Sequence, residues 1–511
     1  MPYKLQVLDI DRDGEISITQ QLVTHISTLI NSGELAPGER LPATRALAAD
    51  AGINHLTAVR VYRRLAELGY VTAAVGRGTF VRQRVPVAPG APGPTRADGL
   101  RPAADDDWQL GMLAQRSVSY ADEMLRDALH APLAGGAIPL GSGYPDPELC
   151  PSQELAELAE EIVRDNPRTI TDYLQVEGLP ALRERLAELG REAGYATSAD
   201  EILVTTGARQ AIDLIARAVL GPGDVAVVEA PTFAGALASL QATGARVLPL
   251  PIDADGVDID ALERILARHE IKLVALQEAC QNPTGADLSP ARRARLLELA
   301  RTRGFFVLDD GVYATMRFDG VPLPRLRAQA PSHVIYVDSL SKTIGGGLRI
   351  GWIAAGGPVF ARLVQLKIDS DIHTSALPQY LAARYLRGDR HKQLLATVLP
   401  VYRARRDALV QALERHLGHE ATWTVPDGGN HVWVTLREPV DERLLYVEAL
   451  RCGTAFMPGG AVMVEKSSRT SMRLSFGLVD APLLEEGVRR LAVALREVKR
   501  RGRAGSTGAL S

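Results

Sequence analysis

Between residues 201 and 339 the runs EILVTTG, DVAVVEAPTF, ARVLPLPID, IKLVALQ, GFFVLDD and HVIYVDS alternate with stretches of helical periodicity. A strand that returns to its own sheet through a helix must lie parallel to its neighbour. The alternation therefore predicts an α/β domain of parallel strands from Ile138 onward. At 511 residues the chain exceeds what one core supports, so further domains are expected. The pattern breaks at VPVAPGAPGP, residues 85–94, where proline and glycine exclude a regular element and make an extended linker. Looser sequence follows to about Gly136, with room for a short helix over Ser119–His130. The end, RRGRAGSTGALS, reads as disordered. The expected division is 15–84, a linker 85–136, a large domain 137–498 and a tail 499–511.

Formal charge is nearly balanced at −3, which excludes neither nucleic acid nor small molecules as partners. Cys150, Cys280 and Cys452 are far apart and odd in number, matching neither a disulfide framework nor a metal-ligand spacing. A reducing cytoplasm is the simplest home, with no metal expected. The opening MPYKLQVLDIDRDGE has no signal-type apolar run, and no uninterrupted stretch approaches a membrane span.

Ser17-Ile-Thr-Gln20 reads as a capping box, followed by Ile18, Leu22, Ile26 and Leu29 on one helical face and closed by Gly33. A second helix is expected over Thr44–Ala51. Gly52 allows a tight turn, and Asn54 can cap a third helix, His55–Leu68, with Ala58, Val61, Tyr62 and Leu65 inward. Helix, short glycine turn, helix is the helix-turn-helix arrangement, whose second member enters the major groove. YVTAAVGRGTFVRQR then supplies two short strands around Gly76-Arg77-Gly78, a wing. From Arg45 to Arg84 seven arginines face two acids, Asp50 and Glu67. Such a local excess suits phosphate contacts.

GERLPATRALAADAGINHLTAVRVYRRLAELGYVTAAVGRGTFV resembles the GntR-type winged helix along its length. The ERLP-x-x-R segment, the G-[IV]-x-x-x-T turn and the G-x-G-T-F wing carry the likeness, with Ala43 where serine is common. The resemblance implies an α+β winged helix-turn-helix that binds double-stranded DNA. It implies contacts from Arg45, Thr57, Arg60 and the wing around Arg77. His55 is placed either to read a base edge or to stay a solvated first-turn residue.

Residues 338–352, DSLSKTIGGGLRIGW, set Lys342 among small residues. A lysine that condenses with an aldehyde must lose its proton, and packing among small and apolar groups favours that. Pyridoxal 5'-phosphate, the commonest such aldehyde, asks for further partners. Gly207, Ala208 and Arg209, running from a strand into a helix, would offer amides to its phosphate. Ser339, Ser341 and Arg349 would be further phosphate ligands. Phe233 is placed to cover the ring, Asn282 to meet the 3-hydroxyl, and Asp310 at a strand end to hold the pyridine nitrogen, with Tyr313 three residues on.

The order N-P-T-G, D-x-x-Y, S-x-S-K, then arginine resembles the fold type I aminotransferases of class I and II over about residues 138–497. That implies a mixed, mostly parallel sheet with a small C-terminal α+β subdomain. It also implies Tyr173 reaching the phosphate across a dimer interface, Gly141–Tyr144 near the substrate, and Arg473 gripping an α-carboxylate.

The two halves in one chain resemble the MocR/GabR family of regulators. This implies a homodimer that senses an amino acid or amine through an external aldimine and so alters operator binding. The chain carries QNPTG where many such regulators have H-Q-[FY]-P-[ST]-G, and LDDGVY where many have E-D-D-Y. An active aminotransferase of the aminoadipate/kynurenine type with an accessory DNA-binding domain is therefore the alternative. A sensor of the free vitamer is a third reading.

Overall fold

The computed structural model describes residues 18–31, 35, 39–67, 71–74, 78–81, 125, 136–321 and 323–507. The chain divides into two compact units, Met1–Ala114 and Gln115–Ser511. Of the short helix expected over Ser119–His130 only Leu125 is described. Ser17, Gly33, Leu68, Gly76 and Arg77 lie outside the described residues.

In the first unit, helices α1 (Ile18–Asn31), α2 (Thr44–Asp50) and α3 (His55–Glu67) precede strands β1 (Val71–Ala74) and β2 (Gly78–Val81). Leu22, Ile26 and Leu29 meet Leu47, Ala58, Val61, Tyr62 and Leu65 in one core closed by Val71 and Val81. The Asn54 side chain accepts from the Leu56 amide at 2.9 Å, the cap that starts α3. The Tyr62 hydroxyl donates to Pro42 O at 2.7 Å and ties α3 to the chain entering α2. β1 and β2 pair antiparallel, Val71 opposite Val81.

The second unit is built on β3 (Ile202–Thr205), α4 (Ala208–Val219), β4 (Val225–Ala230), α5 (Ala234–Ala242), β5 (Arg246–Asp253), β6 (Gly256–Val257), α6 (Ile259–Leu266) and β7 (Leu273–Leu276). α7 (Pro290–Arg303), β8 (Phe306–Asp310), β9 (Val334–Ser339) and β10 (Gly351–Ala354) follow. The eight-stranded sheet has the order β3-β10-β9-β8-β7-β4-β5-β6. Neighbours from β9 to β5 run parallel. Side chains alternate between two buried faces. Ala226 and Val228 pack with Ile212, Ile215 and Leu237, and Val227 packs with Leu262, Leu296 and Leu297. Burial on both faces explains why these strands read as continuous apolar runs.

β10 runs antiparallel between β9 and β3, with Gly351 opposite both Ser339 and Thr205. Its run, GWIA, lies beyond the strands read from the sequence. The loop 340–350, which carries Lys342, therefore joins two adjacent antiparallel strands at one edge of the sheet.

A smaller antiparallel sheet follows, from β11 (Ala421–Trp423), β12 (His431–Leu436), β13 (Met457–Pro458) and β14 (Ser471–Ser475), in the order β11-β12-β14-β13. It packs with α8 (Arg390–Leu417), α9 (Glu442–Arg451) and α10 (Ala481–Thr507), giving the α+β subdomain. α10 corrects the expected disordered tail, because it continues to Thr507. Leu491, Leu495 and Val498 bury one face. Arg500 and Arg501 each pair with Glu497 at 2.8 Å, and Lys499 reaches Glu438 at 2.9 Å. These contacts hold the helix past the point where composition alone suggests fraying. Among the described residues no helix is long and apolar enough to cross a membrane.

Candidate functional site

The residues singled out in the sequence follow the C-terminal ends of β3, β4, β7, β8 and β9, the edge where open α/β sheets bind ligands. Gly207 caps α4 at φ 83°, a left-handed conformation that suits glycine. A Cβ there would stand 2.4 Å from Arg349 Nη2, so nothing larger fits while Arg349 keeps its place. Arg349 Nη2 donates to Thr206 O at 3.1 Å, and Nη1 approaches Ser341 Oγ at 3.4 Å. The first-turn amides of α4, the guanidinium and the Ser341 hydroxyl thus form an anion-receptive cradle. Beneath it Gln210 accepts from the Thr206 amide at 2.8 Å and from buried Lys367 at 3.0 Å. Beside it opens a cleft of about 550 Å³ lined by Thr206, Arg209, Gln210, Arg349 and Asp371.

Ser339 stands apart from this set. Its hydroxyl is buried in the loop, 2.9 Å from Ile350 O and 2.9 Å from Ser341 Oγ, and it accepts from the Ser341 amide. Its work here is to hold the turn that presents Lys342. In Gly207→Ala, left-handed strain of about 1–2 kcal/mol and displacement of Arg349 act together. Equilibrium dialysis should show pyridoxal phosphate binding about tenfold weaker, while the melting temperature changes little.

Lys342 Nζ donates to Gly143 O at 2.8 Å and lies 5.9 Å from the Tyr313 ring centroid. Burial pushes its pKa down to about 8. Arg473 and, less strongly, Arg349 add to the shift, and Asp310 opposes it. The amine is therefore closer to its reactive, neutral form at neutral pH than a solvated lysine is.

Asp310 ends β8, and burial lifts its carboxyl to about 6 against the Val312 amide, Gln277 and Lys342. Gln277 bridges two of the nominated residues. Its Nε2 donates to Asp310 Oδ2 at 2.9 Å, and its Oε1 accepts from the Asn282 amide at 2.6 Å. Arg473, buried on β14, donates to Asn282 Oδ1 at 3.0 Å and to Gly141 O at 2.7 Å. Its Nε has no partner among the described residues, a buried donor available to a ligand. Tyr313 Oη lies 2.9 Å from His431 Nε2, and Ser475 Oγ lies 3.3 Å from His431 Nδ1. Burial, then Arg473 and Lys342, keep His431 well below the usual histidine range and hence neutral. Asp310, Gln277, Asn282 and Arg473 are thus joined by one chain of hydrogen bonds, with the Lys342–Gly143 and Tyr313–His431 pairs as separate contacts.

Other nominated residues lie farther out. Phe233 caps α5, and a Cβ at Gly235 would meet both its ring and the Arg209 guanidinium, which puts it on the cradle side. Tyr144 is 49% exposed beside Gly143. Tyr173 is 81% exposed and meets His373 edge-on at 5.5 Å, with no contact to Lys342 among the described residues.

In the first unit Arg45, His55 and Arg60 are exposed and Thr57 is partly so. The His55 ring is held back on α2, its Nε2 3.0 Å from Thr44 Oγ1.

Sequence reasoning missed Gln277 and Glu278. Glu278 is buried between Arg293 at 2.6 Å and Arg325 at 3.4 Å, and it clamps the loop that carries Asn282. A glutamate within an apolar run ahead of N-P-T-G is the one local signal for it.

Residues 136–491 match the family described as aminotransferase class I and II, and residues 18–81 match the gntR family of bacterial regulatory proteins. Aromatic-amino-acid aminotransferase 1 of Thermococcus litoralis is 33% identical over 391 residues, 75% of this chain and 94% of that protein. The probable rhizopine catabolism regulatory protein MocR of Rhizobium meliloti is 26% identical over 498 residues, 97% of each chain. Among solved structures, LysN, an α-aminoadipate aminotransferase from Thermus thermophilus complexed with N-(5'-phosphopyridoxyl)-L-leucine, superposes with TM-score 0.69. It is 34% identical and covers 74% of this chain and 95% of that one.

Proposed function

The chain belongs to the aminotransferase class I and II family and carries a gntR-family domain ahead of it, and on that premise we propose a pyridoxal-phosphate-dependent, DNA-binding transcription regulator of the MocR type. One observation carries the reading. The likeness to the regulator runs through 97% of the chain, both units included, whereas that to the aminotransferase covers 75%. The protein acts in the cytoplasm as a homodimer on an operator, and an amino acid or amine is its effector.

The residues of the site fit pyridoxal phosphate. Bound there, the cofactor supplies an aldehyde that condenses with amines and a ring that accepts electrons. Lys342 provides the amine that holds it. The amides of Gly207, Ala208 and Arg209, the Arg349 guanidinium and the Ser341 hydroxyl grip the phosphate, with Ser339 bracing the loop. Asp310, steered by Gln277, would keep a proton at the pyridine nitrogen. Asn282 and Tyr313 would serve the 3-oxygen, and Phe233 would cover the ring. Arg473 takes the ligand's carboxylate, with Tyr144 beside it. Tyr173 serves the partner copy, a role its exposure supports. The effector must bind one conformer of the large unit better than another, or it signals nothing.

The deciding experiment screens amino acids and amines for a change in operator affinity, alongside a turnover assay with keto acids. Ligand-dependent DNA binding without turnover supports the regulator. Multiple turnover with ligand-insensitive DNA binding supports the alternative, an aminotransferase of the aminoadipate/kynurenine type, which the well-furnished site favours.

Two further outcomes are expected. Uptake of pyridoxal phosphate by the apo protein should quicken with pH and level off near 8, the pKa to which Lys342 is pushed. Below that point stopped-flow rates should fall about tenfold per pH unit as the neutral amine is lost. Levelling only near the ordinary lysine range would show a solvated amine. Arg60→Ala should weaken operator binding across sequences and reduce the salt slope by about 1, without changing the visible absorption of the cofactor.

A further inference from the structure

α3 presents two opposite faces. Ala58, Val61, Tyr62 and Leu65 close the core of the first unit. At about 100° per residue, Leu56, Arg60 and Arg63 fall within about 60° of one another on the other side, with Val59 at their edge. Leu56 is 64% exposed and Val59 39%, and they are the large hydrophobic side chains exposed among the described residues of this unit. Both sit on the same face as the arginines, at its N-terminal end. His55 does not head this face, because its ring is tied to Thr44 at 3.0 Å.

A helix that enters the major groove meets base edges with its first turn and phosphates with residues further along. The base edges there offer hydrogen-bonding groups to polar side chains and one apolar feature, the thymine C5-methyl. Leucine neither donates nor accepts, so an exposed leucine in this position has a single complement in the groove. We propose that Leu56, with Val59 beside it, reads a thymine methyl, and that each operator half-site carries a thymine facing the first turn of α3.

The proposal rests on the DNA-binding reading above, and its test separates the two. Full-length protein selects sites from a random-sequence duplex pool at fixed salt. Each selected thymine is then replaced by deoxyuridine, which removes the methyl and keeps every hydrogen-bonding group. In wild type, one position per half-site should lose about fourfold in affinity, the effect of one buried methyl. Leu56→Ala should bind the thymine and uracil duplexes equally and keep the wild-type salt slope. A Leu56→Ala protein that retains the uracil penalty, or a wild type indifferent to every replacement, overturns the methyl contact and leaves DNA binding standing. A change in solution mass of Leu56→Ala, with the uracil penalty intact, assigns the leucine to a protein contact and also overturns the proposal. A pool from which wild type enriches nothing overturns the DNA-binding reading and this proposal together.

Discussion

In Lys342→Ala the visible absorption band of protein-bound pyridoxal phosphate should be absent, and borohydride should leave no label on the 338–352 peptide. The loss is expected to be complete rather than graded, because one covalent bond carries the signal. Four other lysines face carboxylates. Lys367 pairs with Asp371 at 2.7 Å, Lys272 with Asp224 at 2.9 Å, Lys392 with Glu192 at 3.2 Å and Lys499 with Glu438 at 2.9 Å. Lys342 instead donates to the neutral carbonyl of Gly143, with the guanidinium of Arg473 helping to lower its pKa. Mass spectrometry of the borohydride-treated wild type gives the complementary result, a single label within 338–352. A label on Lys367, or an unchanged band in Lys342→Ala, would falsify the assignment.

Arg473→Leu should weaken binding of α-amino acids by about 2–5 kcal/mol, on the order of 30- to 4,000-fold, as read by titration of the cofactor spectrum. Arg473 is buried and oriented by Asn282 and Gly141, and its free Nε is ready for a carboxylate oxygen. A planar fork so held gives bidentate recognition that lysine cannot copy, so Arg473→Lys should recover little of the loss. Amines without an α-carboxylate should bind the variant nearly as well as wild type. Removing this charge also removes one cause of the lowered Lys342 pKa, so the pH at which cofactor uptake levels off should rise. Equal loss for amines and amino acids would show that Arg473 shapes the site and does not grip the ligand.

Much of this site was legible because its parts occupy strand ends. Apolar runs closed by Thr205, Asp310 and Ser339 name the edge of a parallel sheet, and ligand-facing residues follow such ends for reasons of topology. The cap at Asn54 and the inward face of α3 were equally legible, since capping and amphipathicity are local. What escaped was set by distant partners. β10 pairs antiparallel between β9 and β3, and that choice turns loop 340–350 so that Gly351 meets Gly207 and Arg349 reaches Thr206. Ser339 and Ser341 look alike in sequence, yet the first is locked to Ile350 and the second faces Arg349. Gln277, Glu278 and His431 acquire meaning only from Asp310, Arg293 and Tyr313. The last helix outruns its expected end because Glu497, Glu420 and Glu438 receive its basic residues.

From its sequence alone this protein is committed to a winged helix, a proline-rich connection and a strand–helix alternation ending in a lysine loop. Periodicity, caps and turn residues act over a few positions, so these elements can be read from neighbouring residues. The reactivity of Lys342 belongs to another level. It comes from loss of water around the amine and from Arg473, which the fold brings in from the smaller sheet. Desolvation and long-range charge are properties of the packed environment: Lys367 is buried as well, but the tertiary structure sets it against Asp371 and sets Lys342 against a neutral carbonyl with Arg473 near.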